Sequence, residues 1–279
     1  MLSNLLSQHP NVHVLIDSML FQKTKRAYEM FEKRCFVDRR LPDVDAPLTY
    51  LQAKYVLSIV MFWLLEIQYD MPFRDDVYGS WLPTYQQRID PYPLLKEART
   101  RALTLRDILD AVYFQLLGEI DPAVTCFGEK TPSNSLFCDW VAAAYPEARI
   151  ILNMRSPLKN IASIRNRSVD RDLDAAIELY LRFYACLERI MDLPQVRILR
   201  HEELLADLEG TGKSLFAHVG VEPMGFRTEF KPILRKDYVG TTVTSDRDRK
   251  LGEAFDDKEK DIIRRRCEKA FRRFYPKEL

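Results

Sequence analysis

The chain has little net charge of either sign: 42 Lys and Arg against 41 Asp and Glu leave a formal balance of +1. That excludes a general binder of nucleic acid or membrane surfaces, which would carry a strong basic excess. Its five cysteines (Cys35, Cys126, Cys138, Cys186, Cys267) are scattered, odd in number and never spaced C-x-x-C. This fits a reducing compartment and offers no zinc site. The four histidines, His9, His13, His201 and His218, have no metal-like spacing with the cysteines or with each other, so no metal is expected. No apolar run approaches the roughly 20 residues that span a bilayer. The most apolar stretch, Val56 to Leu65, reads as a buried helix. A basic segment followed by a long apolar run is also missing from the start, so no signal peptide is expected and the cytoplasm is the default location.

Repeats, low-complexity tracts and a convincing linker are absent as well. With 279 residues, 47% of them hydrophobic and 30% charged, the chain suffices for one large α/β domain or two small ones. A single domain over 1–279 is the expectation. Residues 1–8 read as a helix ended by His9-Pro10-Asn11, and Val12 to Ile16 as a short strand. Lys23 to Lys33 and Leu48 to Gln68 read as helices. Residues 70–93 hold four prolines with Tyr78, Trp81, Tyr85 and Tyr92. They are either a lid or binding loop, or a surface loop pinned by its own aromatics.

Thr104 with Asp107 resembles a helix start, and apolar residues at helical spacing follow. Val124–Phe127, Arg149–Met154 and Val196–Leu199 are short apolar runs separated by helices. That alternation predicts a parallel sheet covered on both faces. Leu173, Ile177, Tyr180, Leu181 and Tyr184 mark another amphipathic helix. Asp256 with Glu259 forms a capping box for a last helix burying Ile262, Ile263, Ala270, Phe271 and Phe274. The basic clusters Arg264–Arg266 and Arg272–Arg273 read as a solvated face of that helix.

The chemistry concentrates in one block. Phe127-Gly-Glu-Lys-Thr-Pro132 places Lys130 in a loop after a strand. Tyr145-Pro146 precedes a second apolar strand ending at Arg155, and Pro157 starts a new helix, since proline suits the first helical position. An arginine at a strand end and the N–H groups of a helix start together suit an anion. Ser163 lies six residues into that helix. A compact ammonium such as Lys130 suits negative charge developing on a bridging oxygen.

Gly128-Glu-Lys-Thr-Pro132, Tyr145-Pro146, Arg155-Ser-Pro157 with Ser163, and Leu199-Arg-His-Glu-Glu-Leu204 together resemble the core of bacterial and Golgi-type sulfotransferases. The resemblance runs discontinuously over residues 2–222. It implies a three-layer, P-loop-like α/β fold with a parallel sheet flanked by helices. It also implies a donor, 3′-phosphoadenosine 5′-phosphosulfate (PAPS), whose sulfuryl group passes to a hydroxyl or amine of a small-molecule, glycan or lipid acceptor. Arg155 and Ser163 would hold the 3′-phosphate, and Lys130 would stabilise the bridging oxygen as the nucleotide leaves. In Golgi-type members a carboxylate a few residues past the His-Pro turn takes the acceptor proton. Asp17 is near that position, and Glu129 is the second candidate.

The family's first strand and its Gly/Ser/Thr-rich phosphate loop are missing from the sequence ahead of Leu2. Either the start lies at an internal methionine, or the chain is a truncation that no longer transfers sulfuryl groups. The intact donor residues downstream favour the first, and about 10–25 further in-frame residues, a strand and a loop, are expected upstream. A P-loop kinase is the rival enzyme, weakened by the absence of G-x-x-x-x-G-K-[ST]. A nucleotide-binding or interaction protein is the rival without catalysis.

Overall fold

A computed structural model describes residues 2–16, 20–31, 43–66, 90–118, 120–166, 172–229 and 246–279. Asp17 and residues 70–89 of the aromatic loop lie outside the described residues. The fold is mixed α/β, with short parallel strand pairs flanked by helices. Contacts group the chain into two compact units: Pro10–Pro146 with Pro232–Val239, and Met1–His9 with Glu147–Lys231 and Gly240–Leu279.

The first of these is built on β1 (Val12–Ile16) and β2 (Cys126–Lys130), paired in parallel from Val12↔Cys126 to Ile16↔Lys130. Val12, Val14 and Leu15 are all buried, as a strand of a parallel pair covered on both faces should be. The helices Leu20–Phe31, Tyr50–Glu66 and Leu105–Leu117 share a core that includes Leu57, Ile108, Leu109, Leu116 and Trp140. The expected start at Thr104 is a capping box: Asp107 N–H donates to Thr104 Oγ1 (3.1 Å), and Thr104 N–H to the Asp107 carboxylate (2.7 Å). Each bond satisfies a donor that the first helical turn would otherwise leave unpaired. The Tyr113 hydroxyl then donates to Gly128 O (2.8 Å), tying this helix to the middle of β2.

β2 begins two residues after the start of the run Val124–Phe127 and ends three residues beyond it. Val124 N–H is taken by the turn carbonyl of Asp121 (2.9 Å), so Val124 has no donor left for the ladder. Lys130 is therefore the last strand residue rather than part of the following loop.

The other unit is built on β3 (Ile150–Met154) and β4 (Val196–Arg200), parallel from Ile150↔Val196 to Met154↔Arg200. The helix Pro157–Arg165 follows β3 and packs against the helices Leu173–Glu188, Asp246–Gly252 and Asp257–Arg266. Its inner face buries Leu158, Ile161 and Ala162. Asp172 and Asp207 cap the helices Leu173–Glu188 and Leu208–His218 through Ala175 N–H (2.7 Å) and Gly210 N–H (2.8 Å). Gly212 lies against the backbone of 224–226, where an added Cβ would overlap Phe226 N. The helix Leu2–Leu6 joins this unit through Gln8, whose Oε1 accepts from Arg227 N–H (2.8 Å), and through His9, whose ring lies 4.9 Å from that of Phe216.

The Asp256–Glu259 capping box is present, with bonds of 2.8 and 3.3 Å. The expected single last helix is two, Asp257–Arg266 and Glu268–Phe274, divided at Cys267. Cys267 is buried, which pushes its thiol up to about 12. Its carbonyl accepts from both Ala270 N–H (3.0 Å) and Phe271 N–H (3.1 Å), as the cap that opens the second helix. Ile263, Ala270 and Phe271 are buried as expected, while Ile262 and Phe274 are half-buried. Arg266 pairs with Asp174 and Glu178, Lys269 with Glu188 (2.8 Å) and Arg273 with Asp192 (2.6 Å). The basic face is thus matched to acids, mostly at exposed positions where such pairs contribute little.

Candidate active site

The site in the β3/β4 unit follows from strand register. Because Met154 is opposite Arg200, the next residues, Arg155 and His201, leave the C-terminal ends of neighbouring parallel strands. Their side chains meet, with Arg155 Nη2 2.8 Å from His201 Nε2. A guanidinium only donates, so Nε2 must accept, which requires a neutral ring protonated on Nδ1. Arg155 is half-buried, and His201 is only 7% exposed.

Ser156 follows, with no exposed surface. Its N–H donates to Glu202 Oε1 (3.3 Å), and its hydroxyl donates to the Glu278 carboxylate. The turn Pro276–Glu278 is held in place by Arg264 Nε, which donates to Glu278 O (2.9 Å). Lys159, one turn into the helix, lies 3.4 Å from the same Glu202 oxygen. Burial, together with the nearby Glu202 carboxylate, pushes the Tyr275 phenol above its ordinary value.

The helix start therefore attracts negative charge, as its dipole requires, but the carboxylates that answer it belong to the chain itself. Glu202 and Glu278 engage the Ser156 donors. Ser163 is half-buried two turns past Ser156, on the stripe shared with Lys159 and Asn160.

In the β1/β2 unit, Lys130 ends β2 opposite Ile16 and is exposed. Glu129, just before it, is half-buried, and its two carboxylate oxygens accept from the Thr131 hydroxyl and the Asn134 amide. Thr131 is 5% exposed, and its carbonyl accepts from Asn134 N–H (3.0 Å). Glu129 thus fastens the turn that follows Lys130.

Three residues at the site were not singled out from the sequence: His201, Glu202 and Glu278. For His201 and Glu202 a signal existed, since they leave β4 as Arg155 and Ser156 leave β3. Glu278 carried none, being 122 residues from Ser156. Among the described residues, no His, Cys, Asp and Glu side chains gather as a metal site. None of the helices there is long and apolar enough to cross a membrane.

The chain matches the model of the sulfotransferase family over residues 1–224. It belongs to that family and is a transferase. No curated protein matches it. Among solved structures, it is similar to the sulfotransferase domain from the curacin biosynthetic pathway. That likeness covers 82% of this chain and 77% of the other at 12% identity, with a TM-score of 0.38.

Proposed function

We propose that the protein transfers the sulfuryl group of PAPS to a hydroxyl or amine of a small-molecule, glycan or lipid acceptor, in the cytoplasm. The observation that carries the reading is Arg155, half-buried at a parallel strand end and held there by a neutral acceptor. A guanidinium so placed suits a phosphate through charge-assisted, paired hydrogen bonds. In this reading Arg155 and Ser163 bind the 3′-phosphate of the donor.

The acceptor oxygen or nitrogen attacks sulfur, and the bond from sulfur to the bridging phosphate oxygen breaks. The leaving nucleotide, adenosine 3′,5′-bisphosphate, keeps that electron pair. Lys130 meets the charge that builds on the bridging oxygen, where a compact ammonium acts most strongly in the transition state. The acceptor proton passes to a carboxylate, for which Asp17 is the first candidate and Glu129 the second. Glu129 would have to give up its bonds to Thr131 and Asn134 to do so. Positioning and charge stabilisation supply most of such catalysis, as in phosphoryl transfer.

Incubation with sulfur-labelled PAPS and a panel of hydroxyl and amine acceptors, and separately with γ-labelled ATP, tests the reading. Label transfer from PAPS alone is expected. Binding of adenosine 3′,5′-bisphosphate without transfer would favour a nucleotide-binding protein, and transfer from ATP would favour a kinase.

A further inference from the structure

We propose that Arg149 and Arg197 form a further anion site, at the N-terminal ends of β3 and β4, that takes the phosphoryl group of a small phosphate monoester. The site lies at the opposite end of these strands from Arg155 and does not rest on the nucleotide reading.

Strand register brings the two arginines together. Arg197 is opposite Ile151, and Arg149 stands two residues before Ile151, immediately ahead of β3. Side chains alternate between faces along a strand, so both arginines fall on one face of the pair. A step of two residues along the strands and one strand across puts their Cβ atoms about 8 Å apart. Both side chains are exposed. Arg197 is aimed by the helix Leu208–His218, where Ser214 Oγ accepts from its Nη2 (3.1 Å). One turn on, His218 borders the same place, with Nε2 3.3 Å from Ile150 O. Burial, with Arg149 and Arg197 adding to it, keeps that imidazole below its ordinary pKa.

The chain does not answer this charge itself. Among the described residues no carboxylate pairs with Arg149 or Arg197, whereas Arg266 in the same unit is matched to Asp174 and Glu178. Two like charges close together repel. A bound dianion would replace that repulsion with charge-assisted hydrogen bonds to both forks, whose planar geometry matches a phosphoryl group.

The size of the ligand follows from where the charge stops. The other residues of the two strands on this face are Ile151, Asn153 and Leu199, none of them charged. Two guanidiniums with an uncharged strip beyond them suit one phosphoryl group rather than a polyanion. The strands between here and Arg155 span about 17 Å, so a small ester cannot reach both ends.

The test uses the full chain, ring-labelled at its four histidines for NMR, with His218 assigned from His218→Gln. Inorganic phosphate and glycerol 2-phosphate are titrated at constant ionic strength, with chloride as the control. The variants are Arg149→Gln, Arg197→Gln, the two combined, Arg149→Lys and Arg155→Ala, each with a melting temperature.

Both phosphates are expected to shift the His218 ring signals saturably, and chloride is not. Each Gln variant should weaken glycerol 2-phosphate by about three- to fivefold and the double variant by about tenfold, the scale of losing charge-assisted bonds at an exposed site. Arg149→Lys keeps the charge and should stay within about threefold of wild type, and Arg155→Ala should match wild type. If the double variant melts early, the single variants and Arg149→Lys decide. A response equal to that of chloride, or Gln variants with unchanged affinity, would overturn the proposal. So would loss of the response in Arg155→Ala, which would place the ligand at the other end of the strands. Binding of inorganic phosphate without the ester would refute the monoester as ligand.

Discussion

At the end of β3, Arg155 is half-buried and held by a histidine from the neighbouring strand. At the end of β2, Lys130 is exposed, and the residue most visibly fastened is the one before it, Glu129. Two parallel strand pairs of the same length thus end beside a half-buried arginine and in an exposed lysine. A guanidinium fixed before the ligand arrives suits ground-state recognition of a phosphate. An ammonium on a flexible stem, carried by a rigid turn, suits an oxygen whose charge changes during reaction.

The largest effect expected from breaking this contrast is at Lys130. Lys130→Ala should lower kcat on the order of 10²- to 10³-fold, the scale of losing one donor to a developing oxyanion. The affinity for adenosine 3′,5′-bisphosphate should change far less. Steady-state kinetics would decide, and a variant with normal kcat but raised donor KM would make Lys130 a ground-state contact.

Arg155→Ala should do the reverse, weakening the bisphosphate by about 2–3 kcal/mol, the value of a charge-assisted paired contact, while kcat at saturating donor falls less. Calorimetry showing equal affinity for variant and wild type would remove Arg155 from the site.

Stability separates the two regions next. Ser156→Ala deletes a hydroxyl that donates to Glu278 from a position with no exposed surface, and should cost about 1–2 kcal/mol in denaturant unfolding. Thr104→Ala, in the other unit, loses half of a capping box and should cost about 1 kcal/mol. A cost at Thr104 well above that at Ser156 would mean that the carboxylate at the helix start contributes little.

The smallest effect concerns pH. Burial lowers the pKa of His218, whose Nε2 lies 3.3 Å from Ile150 O beside β3. The unfolded chain therefore takes up the proton first as pH falls. Stability is full above the ordinary histidine value of about 6.5 and declines as pH drops from there toward the lowered folded value. His218→Gln should flatten that part of the pH–stability curve, and an unchanged slope would assign it to other groups.

Local signals in the sequence were legible where the physics is local. Val12 to Ile16 is the strand it reads as. Thr104 with Asp107 and Asp256 with Glu259 are the capping boxes their spacing implies, and Pro157 opens a helix. Competing short-range bonds explain the misplaced edges. Val124 was claimed by a turn, and the Cys267 carbonyl restarted a helix that periodicity had run through. The partners at the candidate site were hidden for another reason. Arg155 and His201 are 46 residues apart, and only the register of two strands brings them together. Family resemblance pointed to Arg155, Ser163 and Lys130, but it could not say that Ser156, at the start of the helix after Arg155, would be engaged by Glu202 and Glu278.

The bond between Ser156 and Glu278 closes a loop of 122 residues, and Gln8 reaches 219 residues to Arg227. Contacts of such separation form late, because the entropy of closing the loop is lost before any contact rewards it. The β3/β4 unit thus gathers residues from both ends of the sequence, whereas most of the β1/β2 unit is complete by Pro146. During synthesis, the strand pair ending in Lys130 can assemble while the ribosome is still making β4. The Arg155 end has to wait for the last turn to emerge, and protease digestion of stalled ribosome-bound chains would show the two units becoming resistant in that order.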